Sequence, residues 1–259
     1  MIPRMGPSRD ELLAAIFSEE PAPDIQAVMV VAHAGDECIG ASWLLSRLSD
    51  RLSVFRAVQQ ITPAADAITL TGLPAHRCHS LGLAEGTLSK DLETLTWLVA
   101  AAVRPLNPQV LVTHAIDGVN LDHDAIAFAA QLTSLLLPRF GAPFPVLLEF
   151  QCRHDGPEDI HHDQGAPDWE RGVRIEFGPD SRRLKEQILR TQLGSADHIQ
   201  RAALGSEVYR PQSAADVVKT PQQLRRQYSH SPDVHVRRFL SDAAAVARSF
   251  AENGLIAPA

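Results

Sequence analysis

Short apolar runs with few polar interruptions are the feature that most restricts the fold of this chain. The segments AVMVV at 27–31 and QVLVTHA at 109–115 are rich in β-branched residues. Such runs are typical of strands that are buried on both faces of a sheet. Because segments with helical spacing separate them, the sequence predicts alternating strands and helices. That order favours a parallel sheet with right-handed crossovers.

Further helices and strands follow from the same patterns. We predict helices at 10–20, 39–50, 91–103 and 123–137, and strands at 27–31, 52–58, 109–115, 143–152 and 173–177. After residue 180 the pattern is mostly helical to about residue 252. In a parallel sheet, sites form outside the carboxyl ends of the strands, near a switch in strand order.

Charge restricts the class of partner. The formal net charge of -7 and the lack of a long basic run argue against a nucleic-acid partner. The basic clusters SRRLK (181–185) and QQLRRQ (222–227) are interpreted as solvated helix faces. No segment has the ~20 apolar residues that cross a membrane, and no signal peptide is recognisable at the N-terminus. We therefore expect a cytoplasmic protein that does not bind a membrane.

Cysteine usage agrees with that compartment. The chain has three cysteines, which are far apart and lack C-x-x-C spacing: Cys38, Cys78 and Cys152. Neither a disulfide framework nor a cysteine zinc site is indicated. We interpret all three as reduced core thiols.

Two of the predicted strands run out into polar residues that can bind metals. Those residues are His33, Asp36, His114, Asp117, Asp122 and His123. If the two strands are neighbours, the residues converge on one pocket. His33, Asp36 and His123 would then provide two imidazoles and one carboxylate, which suits a divalent metal such as zinc with an open position for water. The alternative is that each histidine is an ordinary hydrogen-bonded loop residue.

The same segments resemble motifs of a known family. VVAHAGDECIGA (30–41) resembles the A-H-P-D-D-E motif of the LmbE-like / PIG-L family of zinc-dependent N-acetylglucosaminyl deacetylases. THAIDGVNLDHDAIAFA (113–129) resembles the second motif, T-H-x-x-x-G-G-H-P-D-H-D-A. LLEFQCRH (147–154) is similar to the E-x-x-x-Y-H strand of the family. LKEQILRTQ with the later EVYRP is similar to its C-terminal helix and E-x-F/Y-R-P segment.

The resemblance implies a fold and a domain organisation. It covers most of residues 25–212 and implies a Rossmann-like three-layer α/β sandwich with a mostly parallel sheet. We therefore expect one domain over 1–259, with its core at about 25–212 and C-terminal helices at 213–259.

The resemblance also implies roles for particular residues. His33, Asp36 and His123 would be the metal ligands, and Asp122 would orient a ligand imidazole. His114 and His154 would line the substrate pocket.

Two departures from the family pattern fall at catalytic positions. Gly35 stands where the family has its general-base aspartate, and Asn120 stands where it has a histidine that stabilises the oxyanion. A general base contributes typically ~10²–10⁴-fold to the rate, and an oxyanion donor about 10²–10³-fold. Asp117 or Glu37 could replace the base, and Asn120 could still donate a hydrogen bond.

Other segments carry weaker signals. The segment 59–72 is shorter and less charged than the corresponding pocket-lining segment of the family. HHDQ (161–164) is interpreted as solvated. Neither G-x-G-x-x-G nor a P-loop nor G-x-S-x-G is present, so nucleotide binding and a serine nucleophile have no support.

Three functions remain open. The first is a metal-dependent amide hydrolase, an N-deacetylase of the class acting on C–N bonds other than peptide bonds. It would use a metal-bound water on an N-acyl amino sugar or a related small conjugate, with Zn²⁺ or another divalent metal as cofactor. The second is a catalytically impaired pseudoenzyme that binds a metal or a ligand with the same fold. The third is a metal enzyme of other chemistry. An oligomer is possible in each case.

Overall fold

A computed structural model describes residues 7–18, 25–59, 67–116, 118, 120–152, 172–193, 204–229 and 231–257. Asp117, His154 and the HHDQ segment lie outside these residues. The helices are α1 (Arg9–Phe17), α2 (Asp36–Arg47), α3 (Leu92–Val103), α4 (Leu121–Leu136), α5 (Pro179–Leu193), α6 (Ala214–Val218), α7 (Thr220–Gln227) and α8 (Val234–Glu252). The strands are β1 (Ala27–Val31), β2 (Leu52–Val58), β3 (Cys78–Leu83), β4 (Val110–His114), β5 (Val146–Phe150), β6 (Val173–Glu176) and β7 (Ser206–Gln212).

The strands form a mostly parallel sheet in the order β3-β2-β1-β4-β5-β7-β6. The first five strands in this order are parallel to one another, whereas β7 runs antiparallel to both of its neighbours. The chain leaves β1 to build one side of the sheet and returns at β4 to build the other. The crevice between β1 and β4 is therefore the switch point at which α/β proteins bind ligands.

Helices cover both faces of the sheet. On β1, Val28 and Val30 pack into one cluster with residues of α3, α4 and α8, whereas Met29 and Val31 pack into a second cluster with α1, α2 and α5. Successive side chains of a strand point to opposite faces, so one five-residue run contributes to both cores. The predicted α/β three-layer architecture with a mostly parallel sheet is confirmed.

Helix α2 is broken in the middle, and β7 supplies the groups that satisfy the break. Ala41 leaves helical geometry (φ -144°, ψ 32°), which frees backbone N–H groups of the second half of the helix. The Glu207 carboxylate accepts from the backbone N–H of Ser42 (2.8 Å) and of Trp43 (3.0 Å), and from the Ser42 hydroxyl (2.7 Å). The Tyr209 hydroxyl in turn donates to Glu207 (2.5 Å).

The carbonyls on the other side of the break are satisfied by a buried lysine of α5. Lys185 donates to the backbone oxygens of Cys38 (3.0 Å) and Ile39 (2.5 Å) and pairs with Glu207 at 2.7 Å. Its side chain is fully buried. The interpretation of SRRLK as a solvated helix face is therefore wrong at Lys185, because this residue lies on the stripe of α5 that packs against α2.

Two strands were not predicted from the sequence. β3 lies at the edge of the sheet, and its half-exposed CHSLGL sequence lacks the apolar run of the central strands. β7 interrupts a region predicted to be mostly helical, and its side chains alternate between buried and half-buried. The thiols of Cys38 and Cys152 are buried, but Cys78 lies half-buried on β3 and is not a core residue.

The C-terminal helices add to one of the two cores. Phe239 and Phe250 of α8 are both about 1% exposed and belong to the cluster formed on the α3–α4 face. Among the residues that the structure describes, no helix is long and apolar enough to cross a bilayer.

Candidate metal centre

The first part of the site is the turn that connects β1 to α2. His33 lies just after the strand, and Asp36 opens the helix with Gly35 as the N-cap. Gly35 has a φ of 105°, in the left-handed region that favours glycine. One carboxylate oxygen of Asp36 accepts from the backbone N–H of His33 at 2.7 Å. The turn therefore brings an imidazole and a carboxylate together.

The second part of the site is the start of α4. Asn120 is the N-cap of this helix, and its side-chain oxygen accepts from the backbone N–H of Asp122 (2.8 Å) and of His123 (3.4 Å). The side-chain oxygen of Asn120 is engaged in the cap, and its amide nitrogen is the group that can donate a hydrogen bond. The cap fixes the first turn of α4, which carries Asp122 and His123.

The structure brings His33, Asp36 and His123 together. Each offers one ligand atom, and these atoms lie within 4.8 Å of one another. His33 Nδ1 is 3.3 Å from His123 Nε2, and both nitrogens are 3.4 Å from Asp36 Oδ2. Asp36 and His123 are buried, whereas the side chain of His33 is 21% exposed. Two imidazole nitrogens and a carboxylate, reachable from one side, fit a divalent metal of the zinc type.

His114 lies behind this group. It is 1% exposed, and its ring stacks on His123 at a centroid distance of 4.2 Å. Its Nε2 accepts from the backbone N–H of Ala32 (3.1 Å) and lies 3.3 Å from Asp36 Oδ2. This buried position differs from the pocket-lining role predicted from the sequence.

The charged groups of the cluster shift the pKa values of one another. Burial alone would raise the pKa of Asp36, but its contacts with the imidazoles of His114, His123 and His33 hold it well below its usual range. Burial would lower the pKa of His33, but the carboxylates of Asp122 and Asp36 raise it to about 10. Burial, together with His123 beside it, lowers the pKa of His114 to about 4. The cluster therefore holds a permanent negative charge at Asp36, which favours a cation.

The carboxylate of Asp122 lies beside the ring of His33. One of its oxygens is 3.4 Å from His33 Nε2. Its carboxylate also accepts from the backbone N–H of Gly86 (2.6 Å) and Leu88 (3.1 Å). Asp122 thus ties the loop after β3 to the start of α4, next to His33.

Glu37 is occupied by structural contacts. It is fully buried, and one of its oxygens accepts from Arg56 Nη2 (2.6 Å) and Nε (3.1 Å). The other oxygen accepts from the backbone N–H of Gly35 at 3.1 Å. Burial raises its pKa, although Arg56 opposes the shift. These contacts favour a role for Glu37 in fixing the turn over a role as general base.

A pocket of about 630 Å³ opens beside the cluster. His33, Asn120 and Asp122 are among the residues that line it. The other lining residues come from the loop after β3, the start of α4 and the start of α8: Glu85, Gly86, Ser89, Lys90, Leu121, Asp233, His235, Arg238 and Phe239. The sequence patterns did not identify these α8 residues as part of a pocket. A pocket of this volume suits a small molecule, and the polar and charged side chains in its lining offer hydrogen-bond partners to one.

Fold and geometry together define a three-layer α/β protein with a candidate divalent-metal centre at its switch point. No protein-family model matches the chain, and no curated protein sequence matches it. The conserved protein TT1542 from Thermus thermophilus has a similar structure, with a TM-score of 0.53 at 17% identity over 73% of this chain and 95% of that one. GalB, the 4-carboxy-2-hydroxymuconate hydratase of Pseudomonas putida, has a similar structure with a TM-score of 0.52. Its sequence is 14% identical over 72% of this chain and 96% of that one.

A third similar structure is Dbv21, the A40926 pseudoaglycone deacetylase, with a TM-score of 0.50 at 14% identity over 73% of this chain and 98% of that one. These neighbours confirm that the chain has the fold of the LmbE-like / PIG-L deacetylases that its motifs resemble. Their named activities include a deacetylation and a hydration, so the shared fold does not by itself determine the reaction.

Proposed function

We propose that this protein is a metal-dependent amide hydrolase that removes an acyl group, such as acetyl, from an N-acyl amino sugar or a related small conjugate. The observation that carries the proposal is the cluster of His33, Asp36 and His123 next to a pocket that His33 itself lines. A divalent metal held there would lower the pKa of a coordinated water and polarise an amide carbonyl.

The residues of the chain have separate roles in this proposal. Asp36 supplies the negative charge that holds the cation, and Asp122 orients the ring of His33. Asn120 can donate a hydrogen bond from its amide nitrogen to a substrate oxygen. Because Glu37 is engaged with Arg56, Asp117 remains the candidate proton acceptor suggested by the sequence.

A second candidate function is a metal- or ligand-binding protein without this activity. It is favoured by Gly35, which provides no proton acceptor beside the ligands. Loss of a general base costs about 10²–10⁴-fold in rate, which is enough to abolish useful turnover when no other carboxylate replaces it.

Acetate release from an N-acetylglucosamine conjugate tests the two candidates. We expect zinc-loaded wild type to release acetate and the His123→Ala variant to lose at least about 10²-fold of that rate, since a metal ligand is removed. Binding of the conjugate without turnover would favour the second candidate. Zinc uptake with neither turnover nor binding of the conjugate would contradict an amino-sugar substrate.

Zinc binding should be linked to proton release from His33. Its pKa of about 10 means that the ring is protonated at pH 7, whereas a metal ligand must be neutral. Each bound Zn²⁺ should therefore release about one proton from His33 at pH 7, and the affinity should rise about tenfold per pH unit as the pH increases towards 10.

Calorimetry in two buffers of different ionisation enthalpy measures this proton release. The Asp122→Asn variant is the matched control, because it removes a carboxylate that raises the pKa of His33 and should release fewer protons. Equal binding enthalpies in both buffers would show that His33 is not the group displaced.

We also propose that the chain works as one domain, in agreement with the sequence prediction. The support is the packing of Phe239 and Phe250 into the same core cluster as β1.

A further inference from the structure

A side chain of α5 reaches the turn that carries two of the candidate ligands. Ala34 and Gly35 lie between His33 and Asp36. Gln192, close to the end of α5, donates from Nε2 to the backbone oxygen of Ala34 at 3.1 Å. This hydrogen bond links the ligand turn to a helix that is distant in sequence.

Gln192 also occupies the space beside Gly35. A Cβ atom at residue 35 would lie 2.3 Å from Nε2 and 2.6 Å from Cδ of Gln192. Contacts this short do not occur between ordinary side chains, so a side chain at position 35 and the present position of Gln192 exclude each other. The φ of 105° makes a larger residue at position 35 strained in addition.

The position of Gln192 is set by the packing of α5. Lys185, Ile188 and Leu189 are buried on one stripe of the helix, and Gln192 continues this stripe at the i+3 and i+4 spacing. Lys185 is itself anchored to the carbonyls of Cys38 and Ile39 in α2. The packing of α5 therefore fixes the position of the Gln192 side chain.

We propose that Gln192 is a positioning residue that holds the turn carrying His33 and Asp36 in the geometry required for a metal. The relevance to a metal rests on the proposed function. Gln192 acts through the carbonyl of Ala34, and its amide fills the place that a side chain at position 35 would take.

The first test compares zinc affinities of the purified full-length protein and two variants by calorimetry. Gln192→Met keeps the bulk but loses the donor, and Gln192→Ala loses both. We expect each to weaken Zn²⁺ binding by at least about tenfold, which is the usual effect of removing a group that orients a ligand. The exposed Gln187 on the same helix provides the control, and Gln187→Ala should keep wild-type affinity.

The outcomes of this test are distinct. Wild-type affinity in Gln192→Met would show that the side chain only fills space, and it would overturn the proposal. Reduced affinity in both variants, with melting temperatures of the metal-free proteins close to that of wild type, supports positioning over a general loss of stability.

The second test needs no metal. We expect Gly35→Ala to lower the melting temperature of the metal-free protein. The decrease should be about 2–6 °C smaller in the Gln192→Ala background than in wild type, because the shorter side chain at position 192 removes the clash. Additive effects would overturn the proposal. If wild type takes up no zinc while the two substitutions remain coupled, the proposed function is wrong and the role of Gln192 in holding the turn stands.

Discussion

Replacing Lys185 with methionine is expected to lower the free energy of unfolding by about 3–5 kcal/mol, the usual cost of leaving one partner of a buried ion pair unpaired. Methionine keeps most of the volume, so the loss isolates the charge and its hydrogen bonds. The carboxylate of Glu207 would lose its cationic partner but keep its other donors, and the carbonyls of Cys38 and Ile39 would lose the ammonium group that donates to them. For a chain of this size the melting temperature should fall by roughly 6–20 °C.

Two further variants make the result interpretable. Arg182→Met lies on the exposed side of the same helix and should change stability by less than about 0.5 kcal/mol. Adding Glu207→Gln to Lys185→Met removes the unpaired carboxylate and should cost less than the sum of the single changes. A Lys185→Met protein as stable as the Arg182→Met protein would show that the pair does not hold the two halves of α2 together.

Removing either candidate histidine ligand should abolish stoichiometric zinc. His33→Ala and His123→Ala each delete one of three donors, and we expect at least an approximately 10²-fold loss of affinity. Wild type should gain about 4 kcal/mol of stability at a zinc concentration about 1,000 times its Kd, and each variant should gain at most about 1.4 kcal/mol at the same concentration. Elemental analysis and thermal melting with and without zinc measure both effects.

The same experiment shows whether the protein needs the metal in order to fold. The turn and the helix start lie over a sheet whose central strands are buried, so the metal-free protein should remain folded. His76→Ala, an exposed histidine in the loop before β3, is the control and should bind zinc as wild type does. Equal zinc content in all the proteins would contradict the ligand assignment.

The central strands and the proximity of the candidate ligands could be predicted because their signals are local. β1 (AVMVV) and the first three residues of β4 (VLV) are apolar runs, and a histidine, His33 or His114, follows each run within two residues. Parallel neighbours place such residues at one edge of the sheet, so convergence follows from topology. The motif resemblance then selected His33, Asp36 and His123 among the candidates.

The surroundings of the ligands could not be predicted in the same way. Gln192 reaches the site only because α5 packs against α2, and neighbouring residues in the sequence give no sign of that contact. Lys185 carried a usable signal, since it shares a stripe with Ile188 and Leu189 at helical spacing. Its charge led to the wrong prediction. A lysine is rarely buried unless it has a partner, and the partner here, Glu207, lies on a different element and is not evident from the neighbouring sequence.

The structure most affects the hypothesis that Glu37 replaces the general base. Glu37 is the nearest carboxylate in sequence, but its contacts with Arg56 and Gly35 are structural. A Gly35→Asp substitution would place a carboxylate at the position of the family's general base, but it requires a strained φ and displacement of Gln192. We therefore expect that single substitution to give no gain in activity, although an aspartate at that position matches the family motif.

Anomalous diffraction from a crystal of the zinc-loaded protein, measured on both sides of the zinc absorption edge, tests the ligand assignment most directly. We predict one anomalous peak per chain, with ring nitrogens of His33 and His123 and a carboxylate oxygen of Asp36 at about 2.0–2.2 Å. A peak bound instead by other residues, such as His161 and His162, or no peak at the carboxyl ends of β1 and β4 would contradict it.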